Sequence, residues 1–337
     1  MSGELPGLDL GRLRVHLDRE LPGLVAGPLS GRVITGGKSN LTYTVTDGTG
    51  SWVVRRPPLG HVLATAHDMP REYRVMTALR ETAVPVPRTH LLCEDTDVLG
   101  APFYVMEHVA GTPLRTLDEI APLGASGVRA VADSLVSTLG ELHAVDPEDV
   151  GLGDFGRPAG FLERQVRRWS RQLEASRSRD LPGIDELRDR LAATLPEQGA
   201  PAIVHGDYRL DNVLVTEDGR LTAVLDWEMA TLGDPLVDLG LMLVYREQPV
   251  IGKGQPATSA EGFPSSPELA RMYAAATGRD VSRLGWYVAF GCFKLAVIAE
   301  GIHYRHERGL TVGAGFDGIG DVVVPLVRRA HSVLKED

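Results

Sequence analysis

Three oxygen-bearing side chains stand at spacings that suit phosphoryl chemistry. Asp207 lies in the run Val204-His205-Gly206-Asp207-Tyr208-Arg209-Leu210-Asp211-Asn212-Val213-Leu214, five residues before Asn212, and Asp226 lies in Val224-Leu225-Asp226-Trp227-Glu228. Between them, 213–216 and 221–225 read as a strand pair joined by the turn Glu217-Asp218-Gly219-Arg220. A hairpin centred on Gly219 sets Asn212 opposite Asp226, with side chains about 5 Å apart. Hard oxygen ligands so spaced suit Mg²⁺, which takes one or two carboxylates and completes its shell from substrate phosphates. From the adjoining loop, Asp207 can take a proton from a hydroxyl nucleophile. Singly, each acid reads as an ordinary loop cap; the constellation with its strands points to phosphoryl transfer. His205 fits a structural hydrogen bonder better than a phosphate carrier. Asp234 and Asp238 read as loop organisers.

The elements that must position these groups follow from periodicity. In the first third, 32–35, 41–46 and 51–56 are short runs rich in Val, Thr, Tyr and Trp, punctuated by Gly36-Gly37 and Asp47-Gly48-Thr49-Gly50. The pattern predicts a helix over 69–82, then strands at 89–93 and 103–106. Past Gly111 the character changes. Val128, Val131, Leu135, Leu139 and Leu142 recur at helical spacing, so 126–144 is predicted as an amphipathic helix. Helices are also predicted over 161–175, 184–195, 267–277, 284–306 and 322–334.

Composition bounds the function. The chain has 337 residues, 43% hydrophobic and 24% charged, which fits two packed lobes and excludes disorder, collagen or coiled coil as the main architecture. Thirty-five basic against forty-five acidic residues give a net charge of −10, so nucleic acid is not an expected partner. Cys93 and Cys292 alone build neither a metal cluster nor a disulfide framework, which places the protein in a reducing cytoplasm. Met-Ser-Gly-Glu-Leu-Pro-Gly lacks the features of a signal peptide. The longest apolar run, Leu284 to Phe293, is shorter than the roughly 20 residues of a membrane span and reads as a buried core helix.

The His205-Gly206-Asp207…Asn212 loop and Asp226-Trp227-Glu228, with Gly233-Asp234-Pro235 and Asp238-Leu239 behind them, resemble the catalytic loop and metal hairpin of protein-kinase-like folds. The His-Gly-Asp form is similar to the aminoglycoside phosphotransferase and choline kinase family. Ser39-Asn40-Leu41-Thr42-Tyr43, Arg55-Arg56-Pro57-Pro58 and Ala66-His67-Asp68-Met69 resemble actinobacterial phosphotransferases and the kinase domains fused to acyl-CoA dehydrogenases. The resemblance runs from about Arg32 to Val324. It implies an α+β, bilobal protein-kinase-like fold: an N-lobe over 1–107 with an antiparallel sheet and one helix, and a larger, mainly helical C-lobe over 108–337. It implies ATP in the cleft, Mg²⁺ on Asn212 and Asp226, and Asp207 as the base. Gly36, Gly37, Ser39 and Asn40 would cover the phosphates, although such a glycine pair also suits a plain hairpin turn. A P-loop is excluded, because Arg32 stands where its first glycine is needed and a strand follows. Val53 would face adenine. Arg55 would take the phosphates where the family has lysine, held by Glu72 from the next helix. Arginine is planar and bulkier than lysine, so that exchange is not conservative. The alternative for Arg55 and Arg56 is a solvated sheet edge. Met106, Glu107 and Val109 would form the hinge, with the Glu107 carbonyl and the Val109 N–H pairing with adenine. Glu228 would reach a second metal or the substrate.

The expected partner is a small molecule with a hydroxyl group, and no membrane. The stretch 161–180 holds Arg164, Arg167, Arg168, Arg171, Arg177 and Arg179 against three acids. That pattern fits either a solvated basic face or a pocket for an anionic alcohol such as a hydroxyacyl-CoA, and fits a polycationic aminoglycoside less well. Two rivals remain. A regulatory pseudokinase would explain Arg55, and a protein kinase would explain the fold, though no activation segment follows Asp226.

Overall fold

The computed structural model describes residues 5–34, 40–59, 68–247, 254–310 and 316–336. Gly36, Gly37 and Ser39 lie outside these residues, as do Ala66 and His67. The chain divides into two compact units, Met1–Gly111 with Thr222–Glu228, and Thr112–Leu221 with Met229–Asp337. A single cut after residue 107 therefore does not describe the division. The segment Thr222–Glu228 joins the first unit because Val224 N–H donates to the Pro85 carbonyl at 2.8 Å and Thr222 Oγ1 to the Ala110 carbonyl at 2.9 Å.

The first unit is a five-stranded antiparallel sheet in the order β1-β2-β3-β5-β4. Its strands are β1 (Ser30–Val33), β2 (Leu41–Thr46), β3 (Ser51–Arg56), β4 (Thr89–Cys93) and β5 (Phe103–Glu107). Strand alternation divides its side chains between two faces. Tyr43, Val45, Trp52, Val54, Phe103 and Val105 form a core with Leu13 and Leu17 of helix α1 (Leu10–Glu20). Asp9 caps that helix by accepting from Gly11 and Arg12 N–H. The opposite face carries Val53, Arg55, Tyr104 and Met106. In register, Val53 pairs with Met106 and Arg55 with Tyr104. Helix α2 (Met69–Leu79), started by an Asp68 cap and Pro70, packs on β4 and β5 and brings Glu72 to the unit's interior. A single-turn helix, α3 (Thr96–Leu99), precedes β5. β3 is central, so the solvated-edge alternative fails; Arg56 is buried and donates to the Gly7 and Leu99 carbonyls.

The second unit is mainly helical. Its elements are α4 (Leu117–Ile120), α5 (Gly124–Ala144), α6 (Phe161–Ser176), α7 (Ile184–Ala193), β6 (Ala202–Val204), β7 (Val213–Val215), β9 (Thr231–Gly233), α8 (Leu236–Glu247), α9 (Ser266–Thr277), α10 (Leu284–Glu307) and α11 (Val323–Glu336). Strand β8 (Leu221–Val224) starts at the unit's edge. The turn before it closes through Thr216 N–H to the Arg220 carbonyl at 2.9 Å. Helix α10 is apolar nearly all round, as a central helix must be, and α6, α7, α8 and α11 pack on it. Among the described residues it is the one helix long and apolar enough to cross a membrane, yet 83% of that stretch is buried within the protein. β6 and β9 pair antiparallel through Ile203 and Leu232.

Candidate active site

In the second unit, the loop after β6 holds Asp207 from several sides. Asp238, at the start of α8, accepts the His205 N–H at 2.7 Å and the Gly206 N–H at 2.8 Å. His143 Nε2 stands 3.3 Å from Asp238, and His143 Nδ1 lies 2.7 Å from the Tyr273 hydroxyl. Burial raises the Asp238 pKa, but donors led by His143 outweigh it and hold the carboxyl below its usual range. Burial keeps His143 low, so the imidazole stays neutral. Asp234 accepts from Leu236 N–H at 3.0 Å and from the Tyr287 hydroxyl at 2.8 Å. His205 is fully buried, and its Nδ1 accepts the Asp207 N–H at 3.2 Å. These contacts are those of structural hydrogen bonders. Gly206 has φ +84°, and a Cβ there would stand 2.8 Å from both the Cβ and the carbonyl oxygen of Met229, so only glycine fits.

The carboxylate of Asp207 is held at both oxygens. Asn212 Nδ2 donates to Oδ2 and to the Asp207 backbone carbonyl, each at 2.9 Å, and the Tyr245 hydroxyl donates to Oδ1 at 2.7 Å. Burial, with the charge of Asp207, pushes the Tyr245 phenol far up, so its proton stays on tyrosine. Arg209 lies 4.3 Å over the Tyr245 ring and pairs with Asp211. With its amide nitrogen committed to Asp207, Asn212 keeps an Oδ1 that has no partner among the described residues and can serve as an oxygen ligand.

In the first unit a second network forms around Glu72, which is 1% exposed. Arg55 Nε stands 3.0 Å from Glu72 Oε2, an ion-pair contact without a well-aligned hydrogen bond. Arg55 Nη2 pairs with Asp226 Oδ1. Tyr104 donates to Glu72 Oε2 at 2.9 Å, and Asn40 Nδ2 donates to Glu72 Oε1 and Glu228 Oε2, each at 3.3 Å. Burial works against the Arg55 charge, but the surrounding acidic groups raise its pKa beyond the ordinary arginine range. Burial raises Glu72, with Arg55 opposing. The Arg55 guanidinium thus spends Nε and Nη2 on carboxylates, and Nη1 has no partner among the described residues.

One expectation needs correction. Neither Asn212 nor Asp226 belongs to a strand, so a continuous ladder does not oppose them. Leu210–Asn212 is a turn of 3₁₀ helix. Asp226 has φ +66°, the one non-glycine residue with positive φ among those described, a conformation that a short acidic side chain tolerates and that often marks functional sites. Asn40 binds two carboxylates, leaving its Oδ1 buried without a partner among the described residues. Val53 and Met106 lie side by side and buried. Glu107 is exposed; its N–H donates to the Arg88 carbonyl and its side chain accepts the Arg88 N–H. Val109 is half-buried.

Tyr104, Tyr245 and Lys294 were not indicated by any motif. Tyr104 was within reach of the two-residue period, since it shares the face of Arg55. Lys294 was visible as a charge inside an apolar run.

Asp238→Ala is expected to destabilise the protein by about 3 kcal/mol, because two N–H donors beside a buried histidine lose a charged acceptor. The Asp238 contribution is present above the unfolded carboxyl value of about 3.9. It is lost as pH falls through the lowered folded value, so the gap between variant and wild type narrows in acid. Urea unfolding at neutral and acid pH measures it.

Together, the sheet-plus-helices architecture, the Asp207–Asn212 loop and the Arg55–Glu72 pair define a kinase-like phosphotransferase fold. A model of the phosphotransferase enzyme family (APH) matches residues 30–287, and the chain belongs to that family. A protein from Ralstonia eutropha JMP134, provisionally classed as an aminoglycoside phosphotransferase, is 33% identical with a TM-score of 0.84, covering 97% of this chain and 98% of its own. A thermostable aminoglycoside phosphotransferase APH(4)-Ia, solved with AMP-PNP and hygromycin B, is 16% identical with a TM-score of 0.64 over 96% of this chain and 97% of its own, a likeness of fold. Acyl-CoA dehydrogenase family member 11 of Gallus gallus is 35% identical over 97% of this chain. The chain spans 44% of that relative, less than half its length.

Proposed function

We propose that the chain transfers the γ-phosphate of Mg-ATP to the hydroxyl of a small molecule. The observation that carries this is the Asp207 carboxylate, fixed by Asn212 and Tyr245 on a loop whose peptide groups are pinned by Asp238. A carboxylate so held keeps lone pairs for an acceptor hydroxyl, whose proton it takes as the oxygen attacks the phosphorus in line. The Arg55 guanidinium, anchored at Glu72, offers its remaining N–H groups to phosphate oxygens. Val53 and Met106 supply an apolar surface for the base.

Each unit offers a donor whose chemistry suits Mg²⁺. Asn212 presents an amide oxygen, and Asp226 keeps one carboxylate oxygen clear of Arg55. Among the described residues no three His, Cys, Asp or Glu side chains cluster as an all-protein metal cage, and Mg²⁺ ordinarily needs only one or two such ligands beside phosphate. When bound, it would neutralise charge on the phosphate oxygens. Glu228, tied to Asn40, is a candidate for a second ion.

For the acceptor, an anionic alcohol of the hydroxyacyl-CoA kind is favoured over an aminoglycoside. Most of the arginines on and after α6 have structural partners: Arg167 pairs with Glu163, Arg177 with Asp185 and Arg179 with Glu300, and Arg164 binds backbone carbonyls. Arg168 and Arg171 are exposed and have no carboxylate partner among the described residues. The preference rests on those two and on the names of the relatives. Incubation of the purified chain with Mg-ATP and either hydroxyacyl-CoA esters or hygromycin B, followed for ADP release, tests it. Stimulation by the esters is expected. Stimulation by hygromycin B alone reverses the acceptor preference, and nucleotide binding without any transfer supports a regulatory pseudokinase.

A further inference from the structure

The chain uses arginine thirty-one times and lysine four times, yet the cation that faces the Asp207 loop from α10 is a lysine. Lys294 is 7% exposed. Its Nζ donates to the Gly206 carbonyl and lies 5.4 Å from the centre of the Trp169 ring. No carboxylate lies within ion-pair distance of it among the described residues. Burying an ammonium group without a paired acid is costly. A neutral donor such as glutamine would satisfy the same carbonyl with far less desolvation. Retention of the charge therefore asks for a use of the charge.

That use is set by the neighbours. The carbonyl that Lys294 holds belongs to the peptide unit leading into Asp207, and its partner N–H is donated by Asp207 to His205. Asp207 and Asp238 are the negative groups that act on the ammonium, with Arg168 opposing them. Burial, the largest influence, lowers the Lys294 pKa. Lysine differs from arginine here in being a compact point charge on a flexible stem, able to reach a single carbonyl in a tight site.

We propose that Lys294 is a positioning residue for phosphoryl transfer: through the Gly206 carbonyl it sets the direction of Asp207, and its charge balances the negative charge gathered around that carboxylate. This rests on the kinase reading of Asp207. Direction and charge separate experimentally. Lys294→Gln keeps a donor for the carbonyl and removes the charge, Lys294→Arg keeps the charge, and Lys294→Met removes both. The probe is ADP release from Mg-ATP, with water or an active ester as acceptor, alongside nucleotide affinity and urea unfolding. Lys294→Gln is expected to lose on the order of 100-fold in kcat, with nucleotide affinity and unfolding midpoint close to wild type. Lys294→Arg, which keeps the charge but reaches the single carbonyl less well, should recover only part of that loss, and Lys294→Met should lose both rate and stability. Wild-type kcat in Lys294→Gln overturns the role of the charge. Loss of kcat only in proportion to unfolded protein, in all three variants, reduces Lys294 to a structural residue. Wild-type protein that neither binds Mg-ATP nor releases ADP overturns the kinase reading itself, and this proposal with it.

Discussion

Asp207→Asn is expected to lower turnover on the order of 1000-fold while leaving Mg-ATP affinity within a few-fold of wild type. The geometry explains why the two effects separate. Asparagine has the shape of aspartate, and its environment offers one place for an oxygen and one for a nitrogen. Asn212 Nδ2, 2.9 Å from Oδ2, demands an acceptor. The Tyr245 hydroxyl, 2.7 Å from Oδ1, can rotate its proton away and accept instead. The amide therefore settles with its oxygen toward Asn212 and its nitrogen toward Tyr245, and the loop keeps its pinning by Asp238. Only the basic carboxylate is lost. Comparison of kcat, nucleotide Kd and urea midpoint for the two proteins checks this. An Asp207→Asn protein that turns over normally removes Asp207 from the role of base.

The parts of this molecule that sequence exposed are those built from local periodicity. β2, β3 and β4 begin and end where alternation and turn residues place them, and α5 follows its apolar stripe from Val128 to Leu142. The sorting of β3 was legible too, since a period of two puts Val53 and Arg55 opposite Trp52 and Val54. The spacing of Asp207 and Asn212 was informative because one loop carries both, so few residues intervene to change their relation. β6 and β9 were missed for the opposite reason. Each is three residues long, and they pair across a wide sequence gap that no local pattern reports. Helix α8 is apolar along most of its length, so amphipathic spacing could not announce it, and Tyr245 went unread with it. The N-terminal helix had an Asp9 cap and Leu10, Leu13 and Leu17 in register, enough to have been recognised.

The Arg55 network shows the limit in sharper form. A strand arginine followed by a helical Glu72 indicates an ion pair. Nothing in local spacing indicates that the same guanidinium also takes Asp226, or that Tyr104 and Asn40 complete the shell of Glu72. The Asp226 contact depends on the return of 222–228 to the first unit, and the Tyr104 and Asn40 contacts on the packing of α2 against the sheet, both properties of the tertiary fold.

That network carries the largest expected loss of stability. Arg55→Met should destabilise the first unit by about 3–5 kcal/mol at neutral pH, the usual consequence of stripping the partner from a buried charge. Among the described residues Glu72, at 1% exposure, would keep only neutral donors, Tyr104 and Asn40, and Asp226 would lose its guanidinium partner in a backbone conformation already at positive φ. Arg55→Lys should cost less, since one ammonium can satisfy one carboxylate but not both in the guanidinium's fork. The pH dependence has a definite sign. Burial raises Glu72 above its usual range even with Arg55 present, and removal of that cation raises it further. A carboxyl raised in the folded state favours folding below its unfolded value of about 4.3 and opposes it as pH rises through the folded value. The gap between Arg55→Met and wild type should therefore be widest near neutrality and shrink on acidification, as Glu72 takes up a proton and its buried charge disappears. Urea unfolding of the three proteins across that range measures the gap. A gap that stays constant with pH would mean that Arg55 supports the sheet by packing alone, and an Arg55→Met protein as stable as wild type would remove the ion pair from the account altogether.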